Sequence, residues 1–427
     1  MFKRNLYLSK ILAELDNKQD ILFLVWARQV GKTSLLKSLI EFNYIKEEET
    51  LFLYWDKLLE LGLSKSIDLE ILVFNKINRE QLKFLIIDEA QYIKNIGLIL
   101  KIFIDQVRKW DFNFKIIVTW SWSLETFRGI TDSLIGRKKI IQVHSLSFME
   151  FLEYKQFDIK SVQVISLENK NILNAYLDEF ISYGSYPRVV MENSLEKKLE
   201  ILNNLYNDYI YKDIWFYLKE DEVISFDKFL KYVSTWVCSS VAVDKIIWDL
   251  WISKRLADKF LFLVENTFVI NLVPAFFQNK QKELSKAKKI YFSDLGFLRK
   301  VLGISFIAWD VRWKFIENFV FMEILKYKSD LENIYYYGKK SQSEIDFILQ
   351  NEFSGKIFPI EVKTGSKDNI PIIFKSFLED YREKIGNFYL INNDICKMRE
   401  VWKKQLKVIS YLNLFVEFYA GLDFYND

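Results

Sequence analysis

The chain mixes short, wholly apolar runs with longer stretches in which apolar residues recur every three or four positions. ILFLV (21–25), the FLII of KFLIIDEAQ (83–91) and the IIV of KIIVT (115–119) are too short for helices and predict strands buried in a parallel sheet. After the first run, TSLLKSLIEF sets Leu35, Leu36, Leu39 and Ile40 on one helical face. Residues 146 to about 222 keep the helical period, as in NAYLDEFISY and LEKKLEILNNLYNDYIYKDI. VDKIIWDLWISKRLADKFLFLVEN predicts two helices around a short turn, the second opening at Ser253, a favourable N-cap. The strand-like TFVINLVPAFF follows, completing a winged-helix pattern over 226–285. Further on, the apolar helix ENFVFMEILK precedes two alternating strands, SEIDFIL and PIEVKTG.

Composition narrows the class. A chain of 427 residues predicts two to four domains, and 50% hydrophobic with 27% charged residues describes a globular protein. The net charge of +3 does not by itself declare a nucleic-acid partner. One histidine, His144, excludes His-based triads and ordinary zinc sites, and Cys238 and Cys396 make no disulfide framework. No apolar run reaches the ~18 residues of a membrane span, and the N-terminus lacks a signal-peptide core, so the expected location is cytoplasmic with no membrane partner.

Chemistry enters at WARQVGKTS (26–34). It matches the phosphate-loop pattern G-x-x-x-x-G-K-[ST] except at its first position, where Trp26 stands. Strand, loop and helix follow in the order that aims backbone N–H groups at an anion. Arg28, Gln29, Val30, Gly31, Lys32, Thr33 and Ser34 are the expected nucleotide contacts. Lys32 is expected to reach the β- and γ-phosphates and Thr33 to ligate Mg²⁺. Asp88 and Glu89 end the next strand, placed to hold Mg²⁺ and to polarise the attacking water. Thr119 or Ser121, on the third strand, is expected to sense the γ-phosphate. ATP and Mg²⁺ are the cofactors implied.

At this point the sequence resembles prokaryotic AAA-type ATPases fused to a C-terminal, nuclease-like domain of unknown function. The resemblance rests on RQVGKT (28–33), IIDEAQ (86–91), T-x-S-x-S (119–123), IGRKKIIQV (135–143) and LSFMEFLEY (146–154). It continues through YGSYPRVV (183–190), YNDYIYKDI (206–214), YFSDLG (291–296), ENFVFMEI (317–324), EIDFIL and IEVKTG. The expected fold class is α/β. A P-loop ATPase core (1–145) is followed by a helical lid (146–225), a winged helix (226–285) and a restriction-endonuclease-like domain (286–427). Arg137 is either a trans-acting finger onto a neighbour's γ-phosphate, which implies an oligomer, or a surface arginine. Lys254, Arg255 and Lys259 on the second winged-helix helix are expected to face either DNA or packed protein.

The same resemblance isolates an anomaly. Trp26, Trp120, Trp122, Trp248, Trp251 and Trp313 stand where the family or a tight turn has glycine. The chain has 13 glycines beside 12 tryptophans, against roughly 30 glycines from average usage. Some bacteria read the codon UGA as glycine where a common alternative table reads Trp. These six positions are therefore expected to be glycine in the cell, whereas Trp55, Trp110, Trp215, Trp236, Trp309 and Trp402 are each compatible with an ordinary core aromatic.

In the last segment, Glu361 and Lys363 share one strand face, Asp346 ends the preceding strand, and Glu317 lies in an apolar helix. This is the restriction-endonuclease-like set. Asp346, Glu361 and Glu317 are expected to converge on Mg²⁺ or Mn²⁺, with Lys363 stabilising the developing charge. Three carboxylates beside one ammonium are too repulsive to stand without a divalent cation. The functions in view are an ATPase acting on nucleic acid, a metal-dependent nuclease with a regulatory ATPase, and a non-catalytic ATP-dependent switch.

Overall fold

The computed structural model describes residues 3–26, 29–54, 82–110, 113–121, 134–157, 167–277, 279–338, 344–365, 369–393 and 397–414. Arg28, Trp55, Trp122 and Ser123 lie outside the described residues, and of Trp26, Trp110 and Ser121 only the backbone is described. The chain divides into two compact units. One holds residues 1–145 with 266–268, and the other holds 146–265 with 269–427.

The first unit is built on five strands, β1 (Ile21–Trp26), β2 (Thr50–Tyr54), β3 (Phe84–Asp88), β4 (Lys115–Ser121) and β5 (Lys138–Gln142). Their order is β2-β3-β4-β1-β5, and every neighbouring pair is parallel. The apolar runs are strands because both faces are covered: Leu22 and Leu24 are as buried as Phe23. Phe23, Val25, Ile87 and Val118 pack with Ile99, Leu100 and Phe103 of the Ile96–Trp110 helix in one apolar cluster. Parallel alignment brings the C-terminal ends of β1, β3 and β4 to one edge, where ligands of open α/β sheets bind.

The second unit begins with helices fastened by sequence-distant polar groups. Ser147 and Glu150 form a capping box on the Phe148–Tyr154 helix. The Phe148 amide also donates to Glu323 Oε2 at 3.2 Å, and buried Lys326 pairs with Glu323 at 3.1 Å. LSFMEFLEY and ENFVFMEI are thus one packed contact. YGSYP and YFSDLG are another. The Asp294 carboxylate accepts from Ser185 N at 2.7 Å, Ser185 Oγ at 2.9 Å and Phe297 N at 2.9 Å. A Cβ on Gly184 would lie 2.2 Å from Asp294 Oδ1, and one on Gly296 would lie 2.0 Å from the Tyr183 carbonyl oxygen. Only glycine permits that approach.

Helices Val243–Leu250 and Lys254–Asn266 follow. Ser253 Oγ accepts from Leu256 N at 3.2 Å, the cap its sequence predicts. β6 (Ile270–Val273) pairs antiparallel with β7 (Lys289–Phe292), so this hairpin runs past the expected boundary at 285. The unit ends in a six-stranded sheet of β8 (Glu332–Gly338), β9 (Glu344–Asn351), β10 (Ile357–Val362), β11 (Phe388–Asn392), β12 (Lys397–Val401) and β13 (Lys404–Ser410). Its order is β12-β13-β11-β10-β9-β8, with β8-β9-β10 an antiparallel meander and β10-β11-β13 parallel. Two helices, Trp309–Tyr327 and Ile372–Tyr381, stand before β8 and between β10 and β11. Among the described residues no helix is long and apolar enough to cross a membrane.

The tryptophans separate into kinds. Trp251 takes a left-handed conformation (φ 54°, ψ 43°) at the end of its helix and is 88% exposed, a glycine position in backbone and surroundings alike. Trp248 and Trp313 sit in ordinary helical backbone, which makes no demand for glycine. Trp120 is fully buried in the first unit's apolar cluster, packed as a core aromatic. Of the tryptophans compatible with a core place, Trp215, Trp309 and Trp402 are exposed. Trp309 is 86% exposed, and Trp402 (φ 52°) with Lys403 (φ 63°) forms the two-residue turn joining β12 to β13.

Candidate functional site

In the first unit, β1 ends at a loop in which Gln29 (φ 65°) and Gly31 (φ 91°) are left-handed. Gly31 is the N-cap of the Lys32–Glu41 helix, so Lys32, Thr33 and Ser34 open it with their amides at its positive end. Lys32 is buried. Thr33 Oγ1 donates to Asp88 Oδ2 at 2.8 Å, joining the loop to the end of β3. Thr119 Oγ1 donates to Asp88 Oδ1 at 2.5 Å and accepts from Glu89 N at 2.8 Å. This follows from register: β3 and β4 run parallel with Ile87 beside Val118, so the next residues, Asp88 and Thr119, are neighbours. Glu89 lies in a left-handed turn (φ 53°), and its carboxylate accepts from the Gln91 side-chain amide. Loop lysine, loop threonine, strand-end Asp, adjacent Glu and sensor-strand threonine are therefore brought to one edge of one sheet.

Arg137 has a partner within its own unit, Asp105 Oδ1 at 2.8 Å. Sequence reasoning missed Arg4. Its buried guanidinium donates to the Val30 carbonyl at 3.0 Å and to the His144 carbonyl at 2.9 Å. It thereby ties the phosphate loop to the segment after β5. The only trace in the sequence is a lone arginine ahead of an amphipathic helix, which no local pattern distinguishes.

In the second unit, β9 and β10 pair antiparallel with Phe347 beside Ile360, which makes Asp346 and Glu361 neighbours. Asp346 Oδ2 accepts from Val362 N at 2.8 Å. Glu361 is buried, pairs with the Lys363 ammonium through Oε1, and keeps Oε2 buried without a hydrogen-bond partner. Glu317 reaches the same region from its helix, with Phe319, Val320 and Phe321 buried around it. Its Oε1 accepts from the Tyr291 hydroxyl at 2.7 Å.

Glu317 and Asp346, expected with Glu361 to converge on a divalent ion, both lie within 4 Å of a buried ammonium. Among the described residues no group of three or more His, Cys, Asp or Glu could hold a metal. That ammonium belongs to a residue the sequence did not flag. Lys289, in β7, is fully buried, and its ammonium lies 2.8 Å from Glu344, 3.5 Å from Glu317 and 3.8 Å from Asp346. Burial pushes the Lys289 pKa down, but the Glu317, Asp346 and Glu344 carboxylates outweigh it and hold the pKa above the ordinary lysine value. Burial, then the Asp346 charge, raises the Glu317 and Glu361 carboxyls, and burial raises Asp346 itself.

Residues 18–152 match the family described as AAA domain. Residues 174–307 and 314–410 match two families described as domains of unknown function, DUF8612 and DUF4143. The uncharacterized protein MJ1544 of Methanocaldococcus jannaschii is 25% identical over 354 residues, covering 79% of this chain and 73% of that protein. An uncharacterized protein of Haemophilus influenzae is 24% identical over 385 residues, covering 87% and 90%. Among solved structures, AMPPCP-bound DnaA from Aquifex aeolicus superposes with a TM-score of 0.32 at 13% identity, over 61% of this chain and 87% of that one. The AAA-domain similarity at 18–152 thus falls mostly within the first unit.

Proposed function

We propose that the chain binds and hydrolyses ATP at the edge of the first sheet, with Lys32, Thr33, Asp88, Glu89 and Thr119 as its working residues. The carrying observation is the Thr33–Asp88–Thr119 chain of hydrogen bonds, which joins phosphate loop, acid and sensor strand. Lys32 meets the β- and γ-phosphates while the first amides of its helix cradle them. Thr33 and Asp88 are the donor pair that fits Mg²⁺, whose part is to neutralise phosphate charge. Glu89 orients and deprotonates the attacking water, held by its bond to Gln91. Ser121 stands two residues beyond Thr119 on the same strand. Arg137 acts on a neighbouring subunit's nucleotide only by leaving Asp105.

The second unit is the part through which hydrolysis acts on nucleic acid or a protein partner. Two consecutive helices and the β6–β7 hairpin support a winged helix there. The succession of helix, three antiparallel strands, helix and parallel strand supports a restriction-endonuclease-like fold. Lys259 is paired with Glu222 at 2.7 Å, which leaves Lys254 and Arg255 as the exposed cations of the second helix.

Nucleotide binding and turnover, measured on the chain as given and with Trp26→Gly, test the proposal. Lys32→Ala is expected to abolish binding, and Glu89→Gln to keep binding and lose turnover. Undiminished turnover in Glu89→Gln would refute the role given to that residue.

A further inference from the structure

The acids of the C-terminal sheet are met by a cation from a strand outside that sheet. Lys289 belongs to the β6–β7 hairpin, Glu317 to the Trp309–Tyr327 helix, and Glu344 and Asp346 to β9. Burying an ammonium is tolerated only where carboxylates and good geometry compensate its desolvation. Here three acids lie within 4 Å of one nitrogen. A restriction-endonuclease-like site balances its acids with a divalent ion, and this donor set does not fit one. The Glu317 oxygen facing Lys289 is also bonded to Tyr291, and the three acids that converge do so on this ammonium, which already stands in the place of a cation.

We propose that Lys289 is the resident cation of this cluster. Its ammonium does by covalent attachment what a metal does by coordination, clamping hairpin, helix and sheet together without a divalent ion. Lys289 is not a second catalytic lysine, because it is fully buried and cannot meet a phosphodiester, whereas Lys363 is 39% exposed. The domain accordingly balances Glu317, Glu344 and Asp346 from within its own fold. The inference does not depend on ATP hydrolysis in the first unit.

The test is Mn²⁺ binding followed by electron paramagnetic resonance, with thermal melts, on the full chain without nucleotide. The unsubstituted chain is expected to show no bound Mn²⁺ that Asp346→Asn removes, and a melt that Mn²⁺ leaves unchanged. Lys289→Met is expected to melt lower and to gain an Mn²⁺ site that partly restores the melt. Adding Asp346→Asn should remove that site. A Mn²⁺ signal in the unsubstituted chain that disappears in Asp346→Asn or Glu361→Gln overturns the proposal. So does a folded Lys289→Met with an unchanged melt. If Lys289→Met does not fold, the Mn²⁺ measurement on the unsubstituted chain decides alone.

Discussion

Both units set carboxylates at or near strand ends, and they treat them in opposite ways. Asp88 is held by two hydroxyls, Thr33 and Thr119, which fix its direction. Asp346 and Glu317 are faced by the buried ammonium of Lys289, which answers their charge from within the fold. Neutral donors orient an acid for a ligand, while an internal cation commits it to structure. A row of acids in a sequence therefore does not distinguish a site from a clamp. The identity of the groups opposite them does.

The sharpest break of this comparison is a pair of charge removals read as stability. Lys289→Met leaves buried acids without their cation and should cost about 3–5 kcal/mol. Asp88→Asn keeps both hydroxyl partners and should cost within about 1 kcal/mol while removing ATP turnover. Equal losses in chemical denaturation would show that the two acid sets are held alike.

Trp120→Gly probes the first unit's core. The side chain fills the cluster beside Val118, so its removal should cost about 3–5 kcal/mol. A neutral or stabilising result would restore glycine as the fitting residue at this position, and a UGA codon there in the gene would agree with it. Thr119→Val is the smaller companion. It removes the hydroxyl between Asp88 and Glu89, should cost about 1–2 kcal/mol, and should lower turnover more than nucleotide binding. Turnover lowered no more than binding would remove Thr119 from the working residues.

The first site was legible because its parts are local. A glycine-lysine-threonine run after an apolar strand, and an acid pair after another, each carry their own context, and parallel register does the rest. Asp346 and Glu361 were legible for the same reason, being neighbours through a short antiparallel meander. Lys289 and Arg4 were not. Each is one basic residue with no motif around it to mark it, and its partners lie elsewhere in the sequence, 28 residues away for Lys289 and Glu317, and 140 for Arg4 and His144. The soft motifs had a similar fate. YGSYP and YFSDLG read as family marks without chemistry, and their reason is steric, two glycines letting a buried Asp294 reach across.

The smallest predicted effect separates two reasons for finding glycine at a tryptophan position. Trp251 pays for a left-handed backbone and gains no packing, since it is 88% exposed. Trp251→Gly should therefore stabilise the second unit by about 0.5–1 kcal/mol, the relief of αL strain exceeding the entropy that glycine adds to the unfolded chain. Trp402 shares the conformation, but its ring lies edge-on to Phe388 with centroids 6.3 Å apart. Trp402→Gly gives up that contact and should come out near zero. Trp251→Ala is the control, because alanine removes the exposed ring and keeps the Cβ. If alanine stabilises as much as glycine in equilibrium denaturation, the gain comes from losing a solvent-exposed indole, and backbone conformation is not what asks for glycine at the end of this helix.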